Sequence, residues 1–322
     1  MDLVTVRDFE GAEDGSASPI PENRARCYSE RLEEGNILFF PKTPFHLTDG
    51  QIEFLLGQRQ LSAGYHKNIA YRPSQDRLSG FVKRGADEER TLRAIMISYS
   101  RRVIGFLSEL LPHYAASWRV DLSSFRPFEE RGRELRLPAR NDLLHIDAFP
   151  TRPTNGDRIL RVFTNVNPRE PRVWITSYGF EALAQQFARV AKLPVSQQAR
   201  WPRAWLSPSL YRVARSVGLP LVERSVYDLC MLRFHHYLKH NNQFQQDCPK
   251  QRWEFPPNST WILFTDMVSH AVLSGQFALE QTVIVSRDSL VLPEKAPINI
   301  LENLFGVPLA HPKRTSLRRL QE

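Results

Sequence analysis

Cysteine is scarce: Cys27, Cys230 and Cys248 are the only three in 322 residues. An odd number without metal-ligand spacing offers no disulfide framework and no zinc knuckle, and reads as reduced thiols in a cytosolic protein. Long hydrophobic runs are missing as well. Nowhere do 18 apolar residues follow one another, so no transmembrane helix is expected. The opening Met1-Asp2-Leu3-Val4-Thr5-Val6-Arg7-Asp8 has neither the basic start nor the apolar core of a secretory signal, which argues against secretion. An internal repeat and a Gly-rich phosphate loop are also absent, which leaves out repeat architectures and P-loop chemistry.

What is present is a chain able to bury a sizeable core. At 42% hydrophobic residues it suits one large domain, or a core with an added lobe. The net charge of +8 calls for an anionic partner: nucleic acid, an acidic lipid surface or a phosphorylated substrate. Charge alone does not choose among these.

The texture divides the chain. Residues 1–23 are acidic, small and rich in Pro, Gly and Ser, and are expected to form a flexible arm. Residues 24–118 read as a helical N-terminal region packing on the core. A helix from Glu22 to Glu34 precedes a short strand, Ile37–Phe40. Thr48-Asp49-Gly50-Gln51 is a capping box opening a helix through Gln58. After Asp87, the positions Leu92, Ile95, Met96, Tyr99, Val103, Phe106, Leu107 and Leu110 recur at helical spacing, and Pro112 marks the end.

Residues 119–292 change to short runs bounded by Pro, Gly and Asn, the pattern of strands. Strands are expected at 143–149, 159–166, 173–177, 260–265, 271–274 and 277–285. A helical insert at about 179–240 interrupts them, with helices at 181–191, 208–216 and 225–239. Residues 293–322 form a basic tail ending in Lys313-Arg314-Thr315-Ser316-Leu317-Arg318-Arg319. The whole reads as an α+β protein with a sandwich or small barrel at its core.

The chemistry concentrates in His145-Ile146-Asp147 and, far down the chain, His270. Two imidazoles and one carboxylate suit a non-haem Fe(II) ion that keeps coordination positions open. In an extended strand, residues i and i+2 point to one face, so His145 and Asp147 can grip one ion. The pattern is cheap, since about one His-x-Asp/Glu is expected by chance in such a chain. A surface strand carrying both residues is the plain alternative. Against it stand Leu143, Leu144, Ile146, Ala148 and Phe149, because a buried carboxylate needs a partner or a metal. Asp266, shortly before His270, is placed to orient its imidazole.

Arg161 lies in a run, Ile159–Val166, whose two faces are both largely apolar, so its guanidinium is expected in the core. It would hold either the distal carboxylate of a dicarboxylic acid or an ordinary partner such as Glu280. His235, His236 and His240 follow Arg233 on a helix; His236 and His240 have zinc-pair spacing without an evident third ligand, and the group reads as a solvated or capping face. Arg131, Arg133, Arg136 and Arg140 form either an anion-binding rim or a basic loop.

With these residues placed, the chain resembles the Kdo 3-hydroxylases, Fe(II)/2-oxoglutarate dioxygenases acting on Kdo2-lipid A. The likeness rests on Glu33-Glu34-Gly35-Asn36-Ile37-Leu38-Phe39-Phe40-Pro41, on Lys67-Asn68-Ile69-Ala70-Tyr71-Arg72-Pro73, and on Leu144-His145-Ile146-Asp147-Ala148-Phe149-Pro150-Thr151-Arg152-Pro153. It is completed by 161–168 and 264–276, so the runs span most of residues 30–285. The resemblance implies a double-stranded β-helix (cupin-like jelly roll) core with His145, Asp147 and His270 as iron ligands, 2-oxoglutarate as cosubstrate and O2 as oxidant. One departure stands out. Many relatives carry a basic 2-oxoglutarate anchor about ten positions after the second His, where this chain has Glu280; Arg161 is the replacement expected here. Arg126, Arg152 and Arg172 are the expected contacts for sugar carboxylates and lipid A phosphates. The expected reaction is hydroxylation at C3 of the outer Kdo of a lipopolysaccharide precursor, by a cytoplasmic protein peripheral to the anionic inner-membrane surface, with no nucleic acid partner. Two rivals remain: an oxygenase of another anionic molecule or protein, and a non-catalytic polyanion-binding β-sandwich with a structural zinc.

Overall fold

In the computed structural model the described residues are 1–7, 20–58, 68–82, 85–195 and 222–311. The apolar positions read at helical spacing become the buried stripe of α3 (Ala86–Leu110), and Asp87, Glu88 and Glu89 occupy its first turn, where the helix dipole favours anions. Pro112 opens the short α4 (Pro112–Ala115). Before them lie α1 (Glu22–Glu33) and α2 (Asp49–Leu56); the Thr48 hydroxyl accepts from Gln51 N–H while the Gln51 side chain accepts from Thr48 N–H.

Two sheets form the core. The larger has eight strands in the order β1-β2-β9-β6-β11-β5-β3-β4, the smaller three in the order β10-β7-β8. Their ranges are β1 Leu3–Thr5, β2 Ile37–Phe40, β3 Ile69–Arg72, β4 Arg77–Ser79, β5 Arg119–Arg126, β6 Arg158–Asn165, β7 Arg172–Gly179, β8 Gln251–Phe255, β9 Thr260–Phe264, β10 Val268–Ser274 and β11 Ala278–Val285. All pairings are antiparallel except β1 with β2.

The sheets pack face to face through aromatic rings. Phe163 on β6 meets Trp174 on β7 at 4.7 Å, and Phe255 on β8 stacks on Trp261 of β9 at 4.0 Å. The other face of β6 turns to the helices: Leu160 and Val162 join the helical core, and Thr164 Oγ1 lies 3.5 Å from the Tyr99 hydroxyl on α3. The central strand is therefore covered on both sides, and Arg161, on the Phe163 face, points between the sheets.

Between β7 and β8 the insert supplies α5 (Phe180–Phe187), α6 (Val226–His240) and, past its expected end near 240, α7 (Asn242–Asp247). The helix expected at 208–216 and the basic run 313–319 lie outside the described residues. Three expectations differ from the structure. Leu3–Thr5, assigned to the flexible arm, adds a parallel strand to β2, with Val6 buried; a short β-branched run covers an otherwise open sheet edge. Within the expected basic tail, α8 (Pro297–Phe305) buries Ile298 and Leu301. The expected strand at 143–149 is reduced to one bridge, His145 with His270.

Candidate active site

His145, Asp147 and His270 converge. One ligand atom from each lies within 4.8 Å of the others, and all three side chains are buried. The bridge that brings them together is made of two backbone hydrogen bonds, His145 N–H to His270 O at 3.1 Å and His270 N–H to His145 O at 2.9 Å. Asp147 N–H adds a third tie, to Thr265 O at 2.9 Å. Both rings are oriented by carbonyls: His145 Nδ1 is 2.7 Å from Leu143 O, and His270 Nδ1 is 2.9 Å from Val268 O. A ring nitrogen facing a carbonyl must carry the proton, so each Nε2 keeps its lone pair for a metal. Burial pushes both imidazoles below their usual range, which keeps them neutral. Burial alone would raise the Asp147 carboxyl, but the Arg161 charge, the two imidazoles and a hydrogen bond from Thr265 together outweigh it and hold Asp147 well below the usual carboxylate range. Two neutral imidazoles and a carboxylate are a donor set for a divalent ion.

The two oxygens of Asp147 have different neighbours. Oδ1 lies 3.7 Å from His145 Nε2, whereas Oδ2 accepts from Arg161 Nη1 at 2.5 Å. From Arg161 a chain of charges runs between the sheets. Arg161 Nη2 pairs with Glu280, and Arg126 donates to Glu280 Oε2 from Nε at 3.1 Å and Nη2 at 2.8 Å. Arg126 and Arg172 both reach Glu130 at 3.4 Å, and Arg133 lies 3.6 Å from it. Burial would raise Glu280, yet Arg161 and Arg126 hold it down to about 2. Four guanidinium groups thus face three carboxylates, Asp147, Glu130 and Glu280. Among the described residues, Arg161 Nε, Arg172 Nε and Trp174 Nε1 are buried with no hydrogen-bond partner. Each unmet donor costs about 1–3 kcal/mol, which an anion's oxygens would offset. The Trp174 ring, whose N–H is one of these, stacks on His270 at 5.4 Å. The donors therefore fit a divalent metal together with a carboxylate-bearing cosubstrate.

A family model described as 3-deoxy-D-manno-oct-2-ulosonic acid (Kdo) hydroxylase matches residues 15–308. The chain belongs to the Kdo hydroxylase family. It is similar to solved structures of the Kdo hydroxylase KdoO, a non-haem Fe(II) α-ketoglutarate-dependent dioxygenase. With the cobalt(II) complex it shares 33% identity over 98% of this chain and 99% of that one, at a TM-score of 0.82. With the complex of α-ketoglutarate and Fe(III) the values are 33%, 95%, 97% and 0.80. The apo form gives 32%, 96%, 98% and 0.80. No curated protein matches the chain.

Other expected residues of this Kdo hydroxylase fall variously. Arg152 pairs with Asp121 and lies 3.9 Å over the Phe149 ring. Arg172 is 1% exposed and also donates to Gly275 O at 2.9 Å. Arg133 and Arg140 pair with Glu130 and Asp142, while Arg131 and Arg136 are exposed. Asp266 does not orient His270: its carboxylate is taken by Arg158 at 2.9 and 3.3 Å, because a fully buried guanidinium demands an anion. His240 Nδ1 bonds back to His236 O at 2.7 Å on an exposed face.

Sequence reading missed three neighbours of the triad. His235, taken for part of a solvated face, sets its ring 5.0 Å from His145 and its Nδ1 2.7 Å from Ile146 O. One turn on, Lys239 is buried with Nζ 3.1 Å from Pro138 O, and burial pushes its ammonium down to about 8. Gln245 on α7 bonds both backbone groups of Leu144. The signal for His235 was its place on the stripe of Met231, Phe234 and Leu238, which are buried.

Proposed function

We propose that the chain is an Fe(II)/2-oxoglutarate-dependent dioxygenase that hydroxylates C3 of the outer Kdo of Kdo2-lipid A, with His145, Asp147 and His270 as iron ligands. The observation that carries this reading is the buried triad with both Nε2 lone pairs available, beside an Arg161 whose Nε has no hydrogen-bond partner. The strand order supports a double-stranded β-helix core. Strands β5-β11-β6-β9 form one four-stranded layer, and the 145 segment with β10-β7-β8 forms the other.

Iron with 2-oxoglutarate supplies the oxygen chemistry, coupling oxidative decarboxylation of the cosubstrate to succinate with hydroxylation of a C–H bond. The chain's residues hold and orient. Asp147 offers Oδ1 to the metal while Oδ2 stays with Arg161, which favours a single carboxylate donor and leaves positions for other ligands. Arg161 anchors the far carboxylate of 2-oxoglutarate, in place of the basic residue that Glu280 replaces. Arg126, Arg152 and Arg172 are the candidates for the substrate's carboxylates and phosphates. Arg152, its side chain 18% exposed, is the most accessible of the three, and Arg172 the least. The Phe163–Trp174–Trp261 aromatic wall keeps the inter-sheet space dry.

Among the described residues no helix is long and apolar enough to cross a membrane. The contact we propose is peripheral, on the cytoplasmic side of the anionic inner membrane where the lipid substrate is presented, with the charge of +8 supplying the attraction.

An anaerobic titration with Fe(II) and 2-oxoglutarate, watched for their charge-transfer band, tests the chemistry. Turnover with Kdo2-lipid A, read by mass spectrometry as a gain of one oxygen, tests the substrate. Asp147→Ala is expected to stay folded and lose both signals. A chain that binds Fe(II) and consumes 2-oxoglutarate but leaves Kdo2-lipid A unchanged acts on another anionic molecule. A chain that gives no such band is not an oxygenase.

A further inference from the structure

The segment 144–147 carries two of the three proposed ligands, and it is extended with two hydrogen-bonding edges. His145 faces β10 and exchanges both backbone bonds with His270. Leu144 and Ile146 face the opposite way, since alternate residues of an extended chain address opposite edges. Among the described residues no strand pairs with that second edge. Orphaned, its peptide groups would lose the hydrogen bonds that water gave them and leave the segment free to twist.

Two side chains of the insert take the strand's place. Gln245 Oε1 accepts from Leu144 N–H at 2.9 Å, and its Nε2 donates to Leu144 O at 2.9 Å and to Leu238 O at 2.8 Å. Only one orientation of the amide satisfies all three contacts, so oxygen and nitrogen are assigned by the network itself. The primary amide thereby copies the peptide group of an adjacent strand. His235 Nδ1, facing Ile146 O at 2.7 Å, donates to the carbonyl between the two ligands. Its ring also meets the His145 ring edge-on at 5.0 Å and 79°. The Leu238 bond ties Gln245 on α7 back to α6, so both helices bear on the segment as one unit.

We infer that His235 and Gln245 are positioning residues of the metal centre, which hold the His145 and Asp147 backbone in register through a side-chain substitute for a missing strand. The inference rests on the ligand assignment proposed above. Neither residue is asked to touch metal or substrate. Their loss would let the peptide planes around Ile146 rotate, moving an imidazole and a carboxylate together. Partners that orient metal ligands are typically worth about 10–100-fold in metal affinity.

Co(II) alone, without cosubstrate, is the probe, read by calorimetric Kd and by the visible spectrum of the bound ion. The purified full chain is expected to bind one Co(II). His235→Phe keeps the ring and deletes the donor; Gln245→Met keeps the length and deletes the amide. Each is expected to weaken Co(II) binding about 10–100-fold and to shift the spectrum. His235→Asn retains an N–H at a position close to Nδ1 and is expected to recover most of the affinity. Thr48→Ala, which removes the distant cap of α2 and lowers stability, is expected to leave Kd and spectrum unchanged. Co(II) affinity like the parent's in both His235→Phe and Gln245→Met overturns the inference. So does an equal loss in Thr48→Ala, which would mark a general stability effect, or a failure of His235→Asn to recover. Should His235→Phe fail to fold, the Gln245→Met and His235→Asn pair still decides. A parent chain that binds no Co(II) fails at the ligand assignment instead, before any variant is compared.

Discussion

Glu280 is shared by two guanidinium groups, Arg161 and Arg126, in a fully buried setting. Deleting one member of a buried ion network costs more than the network contributes, because it strands the remaining charges. Glu280→Gln is therefore expected to lower stability by roughly 3–5 kcal/mol in urea unfolding. The pH dependence has a definite sign. Its folded pKa is depressed from 4.5 to about 2, so the unfolded chain binds the proton more readily. The stabilisation is complete above pH 4.5 and is lost as pH falls towards 2. Acid titration of the metal-free protein should show that component, and the Gln variant should lack it. An equal loss across this range in parent and variant would remove Glu280 from the account.

The β10–β11 connection, which crosses from the smaller sheet to the larger, ties the second histidine to the arginine chain. Gly275 turns it at φ +125°, a conformation that L side chains rarely adopt. A Cβ there would meet Arg172 Cγ at 2.8 Å and Arg172 Cα at 2.9 Å. The second contact is with backbone, so relief requires the turn to move off β7. That movement would also break the bond from Arg172 Nη1 to Gly275 O. Gly275→Ala is expected to cost roughly 2–4 kcal/mol of stability, combining backbone strain with the displaced contact. A parallel loss of 2-oxoglutarate affinity is expected, measured by calorimetry with Co(II) present. Unchanged stability would mean that the turn accommodates a side chain.

Legibility in the sequence follows the same division between side chain and backbone. The stripe from Leu92 to Leu110 was readable because its apolar residues recur at helical spacing, and the run 159–166 because both of its faces are apolar. The i, i+2 spacing of His145 and Asp147 was readable from the period of an extended chain. The expected strand at 143–149 was not found, because its second edge is closed by Gln245 and His235 from distant helices. Nor could the groups that orient the imidazoles be read, since Leu143 O and Val268 O are carbonyls that any residue supplies. Asp266 was the nearby acid on paper, but the buried Arg158 claims it. Arg161 pairs with both Asp147 and Glu280, and Glu280 is the ordinary partner that the sequence set beside a bound dicarboxylate.

At the scale of the molecule, the site is made by tertiary structure alone. His145 and Asp147 sit on a segment clamped by the insert, and His270 sits on a strand of the smaller sheet. The charge of Asp147 is shared with Arg161 on the central strand of the larger sheet. An ion bound by all three ligands thus joins the insert and both sheets, and the unfolded chain offers no such arrangement. Binding must then stabilise the native state by mass action. At Co(II) a hundredfold above its Kd, the gain is about 2.7 kcal/mol, or a rise of about 4 °C in Tm for a chain of this size. Chelation of the metal should return the melt to its starting point. Asp147→Asn keeps the shape but removes the anionic donor, and its Tm should be insensitive to Co(II). Insensitivity in the parent chain, with Co(II) shown to be bound, would place the ion somewhere other than between these three side chains.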